Sequence, residues 1–286
     1  MKDAPLVTIA IPVYNCEKTI QQTLRSVLNQ TLTDFEVLIY DDGSTDRTIP
    51  LIQAFQDSRI KLFQDGGNRG IACRLNQLIE QASGQFLVRM DGDDVMFPDR
   101  LEKQVAFLQS HPDVDVVGSA AVVIDEHDRV LGLRGGESRA WTIDDLFMSS
   151  RFVHPTVAGK TAWFKRWKYD EQLSGCEDMD LWIRSFGDSV FADLAEPLLF
   201  YREYLNMRLS TYLRRQRLLM AYAWRRRDQL ERKRKLLPLM LKPLLSSLAA
   251  IVAHLCRCDR ILILRRNRPI TPAAYERASA VLKAIK

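Results

Sequence analysis

Acidic side chains cluster at three points of this 286-residue sequence: Asp41 with Asp42, Asp91 with Asp93, and Glu177 with Asp178. Carboxylate oxygens bind hard cations such as Mg²⁺ and Mn²⁺, accept hydrogen bonds from bases and sugars, and remove protons as general bases. The chemistry open to each cluster depends on the element that positions it and on the side chains that folding brings beside it.

The Asp91-Gly92-Asp93 triplet favours a metal site. Mg²⁺ and Mn²⁺ often bind through only one or two carboxylates together with substrate phosphates. Gly92 has no Cβ, so the backbone between the two carboxylates can approach a neighbour closely. A solvated turn or a helix N-cap is the alternative for such a triplet taken alone. Its position directly after an apolar segment, in line with other polar clusters, favours the metal.

Asp42 indicates a contact with a nucleobase. Asp46 and Ser44 are better placed to cap the helix that follows, which leaves the Asp42 carboxylate to accept a hydrogen bond from a base ring N–H. Helix capping by the acidic pair itself is the alternative. Tyr14 or Pro12 can pack on the same base, because aromatic faces stack well on nucleobases.

Two further interpretations stay open at this point. Arg69 can contact a base or a phosphate, or form an ordinary surface salt bridge. Glu177 and Asp178 begin a predicted helix, where the helix dipole favours acidic residues. One of these two carboxylates can instead be a general base, and the sequence does not choose between these roles.

An alternation of strands and helices positions these side chains. An apolar run at residues 6–13 predicts a strand buried on both faces, followed by a helix that Asn15 can cap. The same pattern repeats with strands at 35–40, 60–63 and 86–90 and helices at about 45–56 and 71–81. This predicts an α/β fold with a mostly parallel sheet flanked by helices. Ligands bind at the carboxyl ends of strands in such sheets, so the polar clusters after the first four strands should meet at one edge.

The pattern becomes mixed after a helix at 98–108 and a strand at 114–124. Short strands are predicted at 130–133, 156–158, 190–193 and 198–201, with a helix at 178–186. Beyond residue 204 we expect a long basic helix at 208–232, a strongly apolar segment at 236–255 and a last helix from about residue 271. The apolar segment is about as long as a membrane span, but Pro238, Lys242 and Pro243 interrupt it and weaken that interpretation.

Charge divides the chain near residue 204. Residues 1–201 hold 20 Lys and Arg against 31 Asp and Glu, whereas residues 202–286 hold 21 against 5. A uniformly basic nucleic-acid binder is excluded, and no nucleic-acid partner is expected. We therefore predict a catalytic domain at 1–204 and a basic helical extension at 205–286. The extension either lies on an anionic membrane surface or packs on the acidic body.

The cysteines and the first residues predict a cytoplasmic protein. Five cysteines, an odd number, are scattered along a chain too large to need disulfides, which indicates a reducing compartment. Residues 1–5 lack the layout of a secretion signal. If the extension binds lipid, the protein would lie at the inner face of the plasma membrane.

With these clusters in place, the chain resembles the family 2 glycosyltransferases, which have the GT-A fold and transfer sugars from nucleotide-sugar donors. The five matching segments are residues 11–17, 41–46 and 68–70, then 91–94 with Pro98 and Leu101, and last Glu177-Asp178 with Leu181 and Arg184. Each segment is weakly specific alone, but five in order over residues 6 to about 204 are highly specific.

The resemblance implies a role for each matching position. The nucleoside would be surrounded by Pro12, Tyr14, Glu17, Asp42, Asn68 and Arg69. Asp91 would face the ribose and diphosphate and, with Asp93, hold Mn²⁺ or Mg²⁺. Asp178 resembles the catalytic base, with Glu177 beside it. His154 lies in a segment that resembles the acceptor side of the family, although a structural histidine is an equal alternative.

The implied reaction is the inverting transfer of one sugar from a nucleoside diphosphate sugar, with a UDP-sugar favoured, to a hydroxyl of a glycan or lipid-linked acceptor. Such a reaction belongs to bacterial cell-surface polysaccharide synthesis. The Gln-x-x-Arg-Trp signature of the processive synthases is missing, which favours transfer of a single sugar. The alternatives are a nucleotidyltransferase, which uses similar sheets and acids, and a non-catalytic membrane or nucleic-acid binder acting through the basic extension.

Overall fold

The structure is a computed structural model that describes residues 4–137, 139–149, 151–173, 175–206, 208–230 and 236–285. The strands are β1 (Val7–Val13), β2 (Phe35–Asp41), β3 (Ile60–Gln64), β4 (Phe86–Arg89), β5 (Val95–Met96), β6 (Val116–Ile124), β7 (Val130–Arg134), β8 (Ala158–Lys160) and β9 (Phe191–Arg202). The helices are α1 (Ile20–Leu28), α2 (Thr48–Gln53), α3 (Ile71–Gln81), α4 (Arg100–Ser110), α5 (Ile143–Met148), α6 (Thr161–Trp167), α7 (Glu177–Ser185), α8 (Leu209–Arg225), α9 (Leu236–Leu255), α10 (Asp259–Leu264) and α11 (Pro272–Ile285).

One half of the sheet is parallel, as the sequence predicts. The nine strands form a single sheet in the order β3-β2-β1-β4-β8-β6-β9-β5, with β7 paired to β6. Strands β1 to β4 pair in parallel, and a helix follows each of β1, β2 and β3 because parallel neighbours need a crossover connection. Every residue of β1 is buried, as expected for a strand covered on both faces. The predicted α/β class is confirmed.

The other half of the sheet is mixed and corrects three predicted strands. The two short strands expected at 190–193 and 198–201 form one strand, β9, parallel to β6. Its register shifts near Pro197, which lacks an N–H and is tolerated at such an irregularity. The strand expected at 156–158 starts two residues later, as β8 at Ala158. The preceding residues His154–Thr156 form a 3₁₀ turn, because Pro155 suits the start of a helical turn.

The start of α1 differs from the prediction. Asn15 does not cap this helix, which begins five residues later at Ile20. Asn15 has a φ of +51°, in the left-handed region that asparagine tolerates, and its Oδ1 accepts a hydrogen bond from the Thr45 N–H at 2.8 Å. Asp46 Oδ1 accepts from the N–H of Thr48, the first residue of α2, at 2.9 Å. The N-cap position itself is occupied by Arg47, and α2 is shorter than predicted. Asn15 therefore joins two loops at the carboxyl ends of β1 and β2.

Two apolar layers cover the faces of the sheet. One layer packs α1 and α4 on β1 and β2, and the other is built around Trp182 of α7, which is fully buried. The Trp182 ring stacks on Trp163 of α6 with centroids 6.0 Å apart, and Phe152 meets its edge at 5.0 Å. This aromatic group holds the amino end of α7 against the sheet.

The extension after residue 204 packs partly on the body. Ala278, Leu282 and Ile285 of α11 are buried in a third apolar cluster with side chains of β5, β6 and β9. Arg277 pairs with Asp99 and Glu196 at 2.8 and 2.6 Å. The division into 1–204 and 205–286 stays a prediction, but α11 shares its core with the acidic part. The basic helix predicted at 208–232 is shorter than expected, because α8 ends at Arg225 and a 3₁₀ turn follows it at Arg227–Gln229. Residues 231–232 lie outside the described residues.

We predict that α11 stabilises the whole chain. Leu282→Ala should lower the free energy of unfolding by about 2–4 kcal/mol, because it leaves a cavity beneath a side chain that is only 4% exposed. The matched control is Lys283→Ala, a neighbouring exposed position, which should change stability by less than about 0.5 kcal/mol. Urea unfolding measures both. Equal stability of the two variants would show that α11 is a dispensable appendage.

Candidate functional site

Three carboxylates converge at the carboxyl end of β4. Asp91, Asp93 and Asp94 each place an oxygen within 4.8 Å of the others. Arg89, the last residue of β4, is buried and holds Asp91 through two hydrogen bonds of 2.8 and 2.7 Å. The predicted pair of Asp91 and Asp93 is therefore brought together, and the structure adds Asp94 to it.

The backbone of this acidic loop is held against α1. A Cβ on Gly92 would lie 2.8 Å from Val13 Cγ1 and 3.0 Å from Cys16 Sγ, so only glycine allows this close approach. The hydroxyls of Thr19 and Thr23 each donate to the Gly92 carbonyl at 3.1 Å. The N-cap residue and the first turn of α1 thus fix the position of the loop through these two hydrogen bonds.

The electrostatics of the loop suit a cation. Burial raises the pKa of Asp93 to about 6, and the charge of Asp91 adds to this, against the opposing effect of Arg202. Burial and the other two carboxylates also raise the pKa of Asp94. Asp94 Oδ2 is buried and has no hydrogen-bond partner among the residues that the structure describes. A divalent cation would relieve the repulsion and give this oxygen a partner.

The carboxyl end of β9 also belongs to this site. The sequence patterns did not predict this contribution. Arg202 donates its backbone N–H to Asp94 Oδ1 at 2.9 Å and its Nε to the Asp93 carbonyl at 2.8 Å. The pKa of Tyr204 is raised to about 12 by burial and by the neighbouring Asp93 carboxylate. A signal was available, because an arginine at the end of an apolar strand, like Arg89 in β4, is unusual unless it has a buried partner.

Asp42 joins two loops instead of standing free. Its carboxylate accepts from the Arg69 N–H at 2.7 Å, the Gly70 N–H at 3.0 Å and Arg74 Nε at 2.8 Å. Arg74, which sequence reasoning missed, is fully buried and also pairs with Asp65 at 2.7 Å. Asp42 therefore positions the loop at 68–70, and a base contact by the same carboxylate stays a prediction.

The second acidic pair lies at the start of α7. Glu177 is buried, its Oε2 accepts from the Gly175 N–H at 2.6 Å, and burial together with the charge of Asp178 raises its pKa. Asp178, on the same turn, is partly exposed. Burial raises the pKa of Tyr169, and the charges of Asp178, Glu177 and Asp91 contribute to this. The charges of both acidic clusters therefore act on one buried tyrosine, and Asp178 is the more accessible carboxylate of its pair.

Comparison with known proteins identifies the family. The family model described as Glycosyl transferase family 2 matches residues 8–169. EpsE of Bacillus subtilis, which is named a glycosyltransferase, is 34% identical over 212 residues that cover 71% of this chain and 75% of EpsE. This chain belongs to glycosyltransferase family 2. Family membership decides between the enzyme classes that the sequence left open, in favour of glycosyl transfer.

Further relatives and solved structures that resemble this family 2 glycosyltransferase are consistent with the family assignment. The UDP-Glc:α-D-GlcNAc-diphosphoundecaprenol β-1,3-glucosyltransferase WfgD of Escherichia coli is 40% identical over 106 residues, 37% of this chain and 42% of WfgD. The structure of S. aureus TarS 1–349 in complex with UDP-GlcNAc superposes with a TM-score of 0.64 at 21% identity, covering 83% of this chain and 71% of TarS 1–349. The mannosyltransferase PcManGT of Pyrobaculum calidifontis, in complex with GDP-Man and Mn²⁺, superposes with a TM-score of 0.58 at 23% identity, covering 99% and 86%. The GT-A fold is thereby shown.

The residues expected around the nucleoside of the glycosyltransferase lie at one edge of the sheet but differ in access. Tyr14 is 50% exposed, whereas Pro12 is buried within β1. Of these two, Tyr14 is the side chain with a free surface on which a base can stack. Asn68 is exposed on the loop that Asp42 holds.

The two other charged residues expected at the nucleoside are ion-paired at the surface. Glu17 accepts from Arg47 Nε at 3.3 Å, and Arg69 Nε lies 3.4 Å from Asp65. The salt bridge that the sequence left open for Arg69 is therefore present. Exposed pairs of this kind contribute little to stability, so both side chains can exchange their partner for a ligand at small cost.

His154 of the glycosyltransferase is held as a neutral histidine. Its Nε2 lies 2.8 Å from the Tyr169 hydroxyl, and its ring meets the edge of Trp182 with centroids 6.3 Å apart. Burial lowers its pKa well below 6.5, and the charge of Arg89 adds to this. His154 therefore contacts the Tyr169 hydroxyl, while contact with an acceptor stays a prediction.

A cavity of about 270 Å³ opens beside Cys176, the residue that precedes the second acidic pair. The body contributes Asp170, Gln172, Leu173 and Cys176, and α8 contributes Leu218, Ala221, Tyr222, Arg225 and Arg226. Tyr222 donates its hydroxyl to the buried carboxylate of Asp180, one turn into α7, at 2.9 Å. The extension therefore forms one wall of a cavity whose other wall includes Cys176, at the start of α7.

We predict that Arg74 holds the Asp42 loop. Arg74→Ala should lower the free energy of unfolding by at least about 2 kcal/mol, because it leaves the buried Asp42 carboxylate without its guanidinium. The control is Arg69→Ala, whose side chain is 58% exposed and should cost less than about 0.5 kcal/mol. Urea midpoints measure the difference, and similar midpoints would contradict a central role for Arg74.

Proposed function

We propose that this family 2 glycosyltransferase moves one sugar from a UDP-sugar to a hydroxyl of a glycan or lipid-linked acceptor, with inversion, in bacterial cell-surface polysaccharide synthesis. The observation that carries the proposal is that both acidic clusters act on one buried group: the charges of Asp91 in the first cluster and of Asp178 in the second both act on the hydroxyl of Tyr169. A donor with its diphosphate at the first cluster would present its sugar towards the second.

The first acidic cluster is proposed to hold Mn²⁺ or Mg²⁺. Asp93, Asp91 and Asp94 supply the oxygen ligands that these ions prefer, and the partnerless Oδ2 of Asp94 supports the fit. When bound, such an ion neutralises charge on the diphosphate of the donor. The Mn²⁺ in the PcManGT complex supports the same choice of ion class.

Asp178 is proposed as the general base. It takes the proton of the acceptor hydroxyl, whose oxygen forms the new bond to the anomeric carbon from the face opposite the nucleotide while the bond to the diphosphate breaks. Glu177 is less suited to this step, because its Oε2 already accepts from Gly175 and its side chain is buried. It holds the first turn of α7 in place.

The UDP moiety is proposed to lie on the loops after β1, β2 and β3. Tyr14 offers its exposed ring to the base, and Asp42 with the loop at 68–70 forms the wall behind it. The UDP-sugar named for WfgD and the UDP-GlcNAc in the TarS complex support UDP as the nucleotide.

A lipid-linked acceptor and a cytoplasmic location complete the proposal. WfgD is named for an acceptor whose sugar is attached to a lipid diphosphate, and the cavity beside Cys176 is bordered by Arg225 and Arg226, whose charge suits such a diphosphate. All five cysteines are free, which is consistent with a reducing compartment.

Replacing the base tests the assignment of Asp178. Asp178→Asn should lower kcat about 10²- to 10⁴-fold, because the amide cannot take the proton, while binding of UDP stays unchanged. The matched control is Asp188→Asn, an exposed acid just after α7, which should retain full turnover. Release of UDP in the presence of acceptor measures turnover. Near-normal turnover by Asp178→Asn would mean that another group is the base.

The raised pKa of Asp93 predicts a pH dependence of metal binding. Protons and Mn²⁺ compete for this carboxylate, so stabilisation by Mn²⁺ plus UDP should be complete above about pH 6 and fall as the pH drops through this value. In the metal-free protein, the stability changes with pH in the opposite direction. The folded state holds the proton more tightly than the unfolded chain, so this contribution to stability is present at low pH and is lost as the pH rises through about 6.

Thermal unfolding at several pH values measures both effects. Asp93→Asn should remove the stabilisation by Mn²⁺ plus UDP and flatten its pH dependence. Asp113→Asn, at an exposed position away from the site, is the control and should behave as the parent protein. Full stabilisation of Asp93→Asn by Mn²⁺ would place the metal elsewhere.

A further inference from the structure

Helix α9 exposes a continuous apolar face. Its members are Leu237, Leu241, Leu244, Leu245, Leu248, Ile251, Val252 and Leu255, which are between 37 and 77% exposed. We call these eight residues the α9 face. With 3.6 residues per turn they lie within an arc of about 120°, and at 1.5 Å per residue they run for about 27 Å. Every residue of α9 inside this arc is a leucine, isoleucine or valine.

The opposite side of α9 is attached to the protein. Leu239, Pro243 and Ala250 are buried, and α9 packs along α8. Lys242 Nζ, to one side of the α9 face, donates to the Met148 carbonyl of the body. By length and composition α9 could cross a membrane, and 17% of its most apolar stretch is buried inside the protein. A helix fixed along one side cannot be surrounded by lipid, so its free face suits a position in the plane of an interface.

Basic side chains surround the α9 face. Exposed arginines lie at the end of α8, at Arg225 and Arg227, and just beyond α9, at Arg257 and Arg260. Of the lysines and arginines after residue 204 that the structure describes, only Arg226 and Arg277 are ion-paired with a carboxylate. Most of the basic side chains of the extension that the structure describes therefore have no carboxylate partner within the described chain.

We propose that the α9 face inserts into the interface of an anionic lipid bilayer and lies parallel to its plane. Apolar side chains would enter the acyl boundary, and the flanking arginines would contact lipid phosphates. This surface is independent of the donor site, so the proposal does not rest on the proposed reaction. It assigns membrane contact to named residues of one helix and to its apolar side, with charge in a supporting role.

Charge favours a bilayer over a second copy of the chain. Residues 202–286 hold 21 basic residues against 5 acidic ones, so pairing two α9 faces would bring two strongly positive extensions together. An anionic surface instead gains from the same charge. An exposed apolar stripe of this extent on a soluble protein marks an interaction surface, and its basic border matches the lipid.

The test is sedimentation of the full chain with vesicles of phosphatidylcholine containing 30% phosphatidylglycerol. The variant Leu244→Glu with Leu248→Glu places two charges in the middle of the α9 face at positions that are 52 and 60% exposed. It should lower the vesicle partition coefficient at least tenfold. The matched control is Val190→Glu with Tyr275→Glu, which adds the same charge at two exposed apolar positions outside α9 and should bind as the parent protein.

Three outcomes would overturn the proposal. Equal binding by the α9 variant and the control would show that charge alone carries the interaction. Binding by neither the parent protein nor the control would exclude the membrane, whereas retained UDP and Mn²⁺ stabilisation in the same samples would leave the proposed reaction standing. A parent protein that is dimeric without lipid, and an α9 variant that is monomeric, would assign the face to a second copy. Analytical ultracentrifugation measures this last case.

Discussion

Compensation of buried charge at the end of β4 is the constraint on which the site depends. Asp91, Asp93 and Asp94 lie so close together that burial and mutual repulsion raise the pKa values of Asp93 and Asp94. Such a cluster is sustained only by nearby positive charge, and Arg89 and Arg202 supply it. Burial lowers the pKa of Arg89, but the charges of Asp91 and Asp94 outweigh this effect and raise it. The two guanidiniums keep the acidic loop folded, and the remaining negative charge suits a cation.

Pairing of buried carboxylates also connects parts of the chain that are distant in sequence. Arg202 comes from β9, so the carboxyl end of that strand is tied to the loop after β4. Asp180 shows this principle again, since its buried carboxylate binds Arg184 of its own helix, α7, together with Tyr222 of α8. The helix that carries Asp178 is thereby joined to the basic extension. The loop after β4 is thus bonded to β9, and α7 to α8, because Asp94 and Asp180 are buried carboxylates that each bind a partner from a distant segment.

Much of the fold and of the site could be predicted from local patterns. The parallel half of the sheet follows from apolar runs separated by amphipathic helices, and α3 appears with the predicted bounds. Asp91 and Asp93 do lie together, because the ends of parallel strands share one edge. Prediction failed where the partner is distant in sequence. Pairing of β9 with β6, and of Arg74 with Asp42, depends on contacts across 32 to about 80 positions that no local pattern records.

By itself, the sequence determined the fold class, the family resemblance and the identity of the carboxylates, because these depend on residue type, order and short spacing. Tertiary structure decided which oxygens are accessible. It buried Glu177 and left Asp178 partly exposed, and it engaged Asp42 with Arg74. It also gave two helices of the basic extension different environments. One side of α11 is buried in the core, whereas the α9 face is exposed. Burial is a property of the packed whole, so a residue's partners and its access to solvent emerge only when the elements meet.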